Sequence, residues 1–125
     1  MKSTLKSDTL NNEELSKLAW SFLNSSSGQK FRSIVNVPDE IDGLCCDVSE
    51  ELSEYLSSNS IENKILDLRA TNHPFLINGV PHTVVLVNGR ILDLTYRQFE
   101  HTSDIPHTYN ISELNERGWA ILREY

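Results

Sequence analysis

The stretch His82-Thr83-Val84-Val85-Leu86-Val87-Asn88-Gly89-Arg90-Ile91-Leu92-Asp93-Leu94-Thr95 decides how this chain folds. Two β-prone runs flank Asn-Gly, the dipeptide best suited to the positive backbone angles of a type I′ turn, so the segment reads as a β-hairpin. A two-residue loop at Asn88-Gly89 pairs Val87 with Arg90, Val85 with Leu92, Val84 with Asp93 and His82 with Thr95. Side chains alternate across a sheet. One face therefore carries His82, Val84, Leu86, Ile91, Asp93 and Thr95, and the other Thr83, Val85, Val87, Arg90, Leu92 and Leu94. His82 and Asp93 become diagonal neighbours, with Cα atoms about 7–8 Å apart. Asp93 stands between Leu92 and Leu94, where Asp is a poor strand former and a buried carboxylate needs a partner. His82 is the natural one.

Upstream, the pattern changes period. Leu44, Val48, Leu52, Tyr55 and Leu56 form a helical stripe, which predicts a helix from about Asp42-Gly43 to Ser58. An earlier helix starts at Asn11, with Glu14 three residues on, and carries Leu15, Leu18, Ala19, Phe22 and Leu23 on one side. Phe31–Val37 is apolar without a clear period, and Pro38-Asp39-Glu40 breaks it. Residues 1–10 are polar and expected to be disordered. Lys64–Leu68 and Phe75–Val80 read as strands, 100–110 as loop, Ser112–Arg117 as a short helix, and Trp119–Tyr125 as strand or helix. The order, helices and then an antiparallel meander, is α+β. At 125 residues one domain spanning 1–125 is expected. The meander should pack on the second helix, with Cys45 and His82 on the same side of the sheet.

Eleven Lys and Arg against eighteen Asp and Glu leave a formal charge of −7. That acidity argues against nucleic acid and against anionic membrane surfaces, both of which need a basic patch. The longest strictly apolar run is Val84–Val87, far too short to span a bilayer. The segment MKSTLKSDTL lacks the apolar centre of a secretory signal. Cys45 and Cys46 are adjacent and have no other cysteine to pair with, which fits a reducing compartment such as the cytoplasm.

If Asp42 caps the second helix, Cys45 lies in its first turn. Unpaired N–H groups and the positive end of the helix dipole favour a thiolate there. Cys45 shares the inward stripe with Val48, Ser49, Leu52 and Leu56; Cys46 lies outward with Glu50 and Ser53. Taken alone, Cys45 reads more readily as a small core residue than as a nucleophile. With His82 and Asp93 on one sheet face it completes the parts of nucleophilic catalysis: a thiol, a base, and a group that orients the base. His73, His101 and His107 fall in loop-like segments and read as solvated. Cys45, Cys46, His82 and Asp93 have the atom types of a zinc site but no recognisable ligand spacing. No glycine-rich nucleotide motif occurs, and no cofactor or metal is expected.

Gly43-Leu44-Cys45-Cys46-Asp47-Val48-Ser49 resembles the nucleophile helix of papain-fold proteins, and His82 to Thr95 resembles the His strand and the "Asp, apolar, Thr" strand of papain-like and transglutaminase-like proteins. Tyr96-Arg97-Gln98-Phe99 extends the similarity to compact bacterial papain-fold toxins and deamidases. The resemblance covers roughly residues 42–99. It implies a papain-like fold, a Cys45–His82–Asp93 triad, and a protein or peptide substrate whose peptide bond or Gln side-chain amide is attacked. It also implies that such a protein can be delivered into another cell's cytoplasm. Many papain-like peptidases carry a Gln shortly before the Cys as an oxyanion donor. Val37–Leu44 has none, which leaves Gln29, Asn36 and the Cys45 backbone N–H as candidates. The competing expectation is a catalytically silent papain-fold protein that binds a protein partner.

Overall fold

The computed structural model describes residues 11–125; the disorder expected of 1–10 lies outside them. Helix α1 (Asn12–Leu23) opens with a full capping box: the Asn11 side chain accepts from Glu14 N–H, and Glu14 reaches back to Asn11 N–H. Each end thereby satisfies a backbone donor that the helix leaves unpaired. Two four-residue helices follow, α2 (Gln29–Arg32) and α3 (Pro38–Ile41). Pro38 does not break the chain but starts α3, where its missing N–H is no loss. Helix α4 (Cys45–Ser58) begins later than its apolar pattern suggests. Asp42 is not its cap: it ends α3, and Gly43, at φ +83°, turns the chain into α4. Leu44 takes the N-cap position and offers no side-chain hydrogen bond.

Five antiparallel strands follow: β1 (Lys64–Ala70), β2 (Pro81–Val87), β3 (Arg90–Asp93), β4 (His107–Asn110) and β5 (Trp119–Glu124), in the spatial order β4-β3-β2-β1-β5. The architecture is α+β, with the helices preceding one antiparallel sheet. The β2–β3 hairpin has the register that Asn88-Gly89 implies, Val87↔Arg90 and Val85↔Leu92, and both turn residues have positive φ. Pairing stops there. The Val84–Asp93 and His82–Thr95 pairs expected from the sequence do not form: past Leu92 the chain leaves β2, and Asp93 Oδ1 accepts from the Thr95 N–H at 2.9 Å. Phe75–Ile77 is loop, not strand. The Phe75 N–H is taken locally by His73 Nδ1, and nearby Asn78 Oδ1 takes that of Asn72. Conversely, 107–110 is a strand where loop was expected, and 112–117 holds only a single 3₁₀ turn.

The sheet is buried on both sides. Val85, Val87, Leu92 and Leu94 pack against Val48, Leu52 and Leu56 of α4 and against α1. Leu66, Leu68, Val84 and Ile91 pack on the other face beneath Tyr96, Leu114 and Trp119, supplied by the segments that leave β3 and cross from β4 to β5. Fully burying each such aliphatic side chain contributes about 1.5–3 kcal/mol. His82 belongs to this second face, with Leu68 opposite it. The expectation that the His82 face would meet the helix is therefore wrong; Thr83's face does. No helix among the described residues is long and apolar enough to cross a membrane.

Gly118 sits at φ +91°, and a Cβ there would stand 2.5 Å from His73 Cα. Gly118→Ala combines a left-handed backbone with a backbone clash and should destabilise the fold by at least ~2 kcal/mol. Chemical denaturation would check this.

Candidate active site

The site forms where β2 and β3 part. Val87↔Arg90 closes a two-residue turn and is a hydrogen-bonded pair, so every second residue back along β2 also directs its N–H and C=O toward β3. Thr83 is such a residue, yet β3 has already left. Helix α4 supplies the missing partners. Ser49 Oγ donates to the Thr83 carbonyl at 3.1 Å, and the Thr83 backbone lies beside the Cys45 sulfur and favours its ionised form. Four residues apart on one helix face, Cys45 and Ser49 thus fill the gap in the ladder. Cys45 reaches His82 through this opening, although the helix lies on the opposite face of the sheet.

His82 and Asp93 are 1% and 4% exposed, so their interaction is dry. His82 Nε2 lies 2.6 Å from Asp93 Oδ2 and, facing a carboxylate, carries the proton. The other carboxylate oxygen accepts from Thr95 N–H at 2.9 Å and from the Thr95 hydroxyl at 3.3 Å. Nδ1 is buried and makes no hydrogen bond of normal geometry; the Cys45 thiol is the group left for it to address. A loose thiol–imidazole contact is common before substrate binds. The ring plane is held by Trp119, stacked at 5.3 Å, and by Phe99, edge-on at 4.9 Å. Both also screen it from water.

These contacts set the charges. Burial disfavours a charged His82, but the negative charge and hydrogen bond of Asp93, with a smaller contribution from Cys45, raise its pKa to about 9. Burial likewise opposes ionisation of Cys45; the loose contact with His82, the positive charge there and the Thr83 backbone outweigh it and hold the thiol below its ordinary value. The neighbouring thiol behaves oppositely. Cys46 is exposed, with its sulfur 3.3 Å from Thr83 Oγ1. That hydroxyl favours its thiolate, but burial and repulsion from Cys45 prevail and push its pKa up.

Of the candidate oxyanion donors, the Cys45 N–H is free of the α4 ladder. The intrahelical ladder of α4 begins with Val48 N–H to the Leu44 carbonyl, so the N–H groups of Cys45, Cys46 and Asp47 precede it. Asn36 lines a cavity of about 540 Å³ with Trp20, Arg97 and His107, to which Cys45 does not contribute, and Gln29 opens α2. The glutamine that approaches the nucleophile loop is Gln98, from the turn after Asp93: its Oε1 accepts from Gly43 N–H at 3.4 Å. Sequence reasoning missed Gln98, Thr83, Phe99 and Trp119, whose roles depend on the parting of the strands. Two histidines were also misplaced. His73 is buried, with Nε2 2.9 Å from the Tyr96 hydroxyl, and His107 lies on β4, stacked on Tyr96 at 4.0 Å. His101 is exposed, as expected.

No family model, curated protein or solved structure matches the chain.

The two shifts define a pH window. A thiolate–imidazolium pair exists above the lowered Cys45 pKa and is lost as His82 gives up its proton near pH 9. Iodoacetamide should therefore alkylate Cys45 with a midpoint below the ordinary thiol midpoint of about pH 8.5, with a second inflection near pH 9. Cys46 should react more slowly at neutral pH despite its greater exposure. Peptide mapping of the alkylated protein against pH measures both.

Proposed function

We propose that this chain is a papain-like cysteine hydrolase or acyl-transfer enzyme acting on a peptide bond or a Gln side-chain amide. The observation that carries the reading is the buried His82–Asp93 pair, 2.6 Å apart, whose one unused imidazole nitrogen faces a thiol in the first turn of a helix. A purely structural Cys45 would account for neither the dry ion pair nor the lowered thiol.

The chemistry follows from these positions. The Cys45 thiolate attacks the carbonyl carbon, and the carbonyl oxygen becomes an oxyanion. Unpaired N–H groups of the first α4 turn, that of Cys45 foremost, are donors for it. The intermediate collapses as His82 Nδ1–H gives its proton to the leaving nitrogen, and the C–N bond breaks. An amine or ammonia departs, leaving a thioester on Cys45. His82 is now neutral, with Nε2–H still held by Asp93, so Nδ1 can take a proton from water. The resulting hydroxide attacks the thioester, the acid leaves, and the starting thiolate–imidazolium pair is restored. If an amine replaces water, the product is a transamidated protein. Asp93 stays ionised throughout, held low by His82 and by Thr95 even though burial opposes it.

Two variants probe this cycle. In Asp93→Asn the Thr95 contacts can be kept by the amide oxygen, which turns the amide nitrogen toward His82. Nε2 must then accept, the remaining proton moves to Nδ1, and the ring cannot deprotonate the thiol. The fold should persist while turnover falls about 10³–10⁴-fold. Cys45→Ser should abolish turnover, and Cys46→Ser should retain most of it. Mass spectrometry of protein lysates incubated with each variant reads cleavage, deamidation and cross-linking as distinct mass changes. Identical products from the parent and Cys45→Ser would sink the proposal.

A further inference from the structure

Gly43 precedes the nucleophile helix at a point where little else fixes the chain. A Cβ on Gly43 would find nothing within 4 Å, and Leu44 caps α4 without a side-chain bond. The Gly43 N–H instead reaches across 55 residues to Gln98 Oε1, at 3.4 Å. The same amide donates through Nε2 to Thr95 Oγ1 at 3.1 Å, and Thr95 Oγ1 donates onward to Asp93 Oδ1 at 3.3 Å. That oxygen is the one His82 does not use. The contacts close a ring: Gly43, Gln98, Thr95, Asp93, His82 and Cys45, returning to Gly43 along the backbone. The segment holding Gln98 also packs on α3, the element that leads into the nucleophile loop.

We infer that Gln98 is a positioning residue of the proposed reaction, a clasp that fixes the nucleophile loop against the carboxylate orienting His82. The inference rests on the Cys45–His82–Asp93 reading. The residue type fits the task. Thr95 Oγ1 gives its proton to Asp93 and must accept from Gln98, while Gly43 N–H must find an acceptor. A primary amide offers both ends on one arm. A glutamate keeps the acceptor for Gly43 but, when ionised, loses the donor to Thr95 and adds a negative charge beside the thiolate. Gln98 need not touch the reacting atoms. Its effect is on where the sulfur stands relative to the imidazole, and a misplacement of 1 Å costs about 100-fold in rate.

The test needs no substrate. Cys45 alkylation by iodoacetamide is followed against pH in the parent, Gln98→Ala and Gln98→Glu, alongside hydrogen exchange at the Gly43 amide and thermal unfolding as a check on folding. The clasp requires both variants to fold, to alkylate Cys45 about tenfold more slowly at neutral pH, and to shift the midpoint toward that of a free thiol. Gly43 exchange should quicken in Gln98→Ala and less so in Gln98→Glu, which keeps that acceptor. With a labelled substrate in hand, kcat should fall while KM holds. A reactive parent Cys45 whose midpoint is unmoved in both variants would overturn the clasp and leave the triad standing. A parent Cys45 no more reactive than free cysteine would overturn the triad reading, and the clasp with it.

Discussion

Asp93 has two hydrogen-bonding obligations that pull the chain in different directions. One carboxylate oxygen holds His82 on the neighbouring strand; the other holds the backbone and hydroxyl of Thr95, two residues ahead. The second obligation is a local turn, and it takes an N–H that an extended β3 would direct toward β4. Pairing with β4 ends at Asp93↔His107, and β3 has already left β2 after Leu92. Everything distinctive about the site follows from that departure. Thr83 is left with buried backbone groups that must be satisfied. The first turn of α4 satisfies them, and in doing so brings Cys45 to a histidine on the far face of the sheet.

A charge pair in this position is poor value for stability alone. Desolvating two ions offsets most of their attraction, and an apolar pair of similar volume often serves the fold as well. Val84 and Ile91, on the same face, show that the surroundings accept aliphatic side chains. What the pair supplies that an apolar pair does not is a histidine kept protonated to about pH 9 behind Trp119 and Phe99. A pKa raised on folding contributes stability that is complete below the unfolded histidine value of about 6.5 and fades as pH climbs through the folded one. The pair's contribution to stability therefore fades over the same rise in pH that populates a neighbouring thiolate.

How much of this was legible in the sequence depends on the range of each interaction. The Asn11 capping box, the Asn88-Gly89 turn and the apolar stripe of α4 are local, and each appears where the residues place it. The meeting of His82 and Asp93 was also readable, because a two-residue turn fixes their register. The stripe Val48, Leu52 and Leu56 fixed the rotation of α4, so its later start at Cys45 did not exchange the two cysteines. What failed was any inference that assumed an unbroken sheet. Alternation assigned the faces correctly, but the side on which Cys45 meets His82 depends on a ladder that ends early. An Asp followed two residues on by Thr signals a local turn, but no local pattern shows where the β2 ladder ends. His73 and His107 were misjudged for another reason. Their burial comes from Tyr96 and Trp119, residues 11 or more positions away that no local pattern joins to them.

Cys45 and Cys46 show how fine the resulting control is. They share a helix turn and a dipole, so neither feature distinguishes them. Their difference comes from what the opened sheet presents to each. Cys45 meets the inner side of the gap: a cationic ring and a backbone whose ladder partner is gone. Cys46 meets Thr83's side chain, which is already committed, since Thr83 Oγ1 donates to Asp67 Oδ1 at 3.0 Å. That carboxylate is in turn tied to Arg123 and to the Tyr125 hydroxyl. The hydroxyl favours the Cys46 thiolate, but burial and repulsion from Cys45 outweigh it, and Cys46 keeps its proton. One strand departure therefore sorts two adjacent thiols, one toward the ionised form and one away from it, by deciding which of them meets the cationic ring.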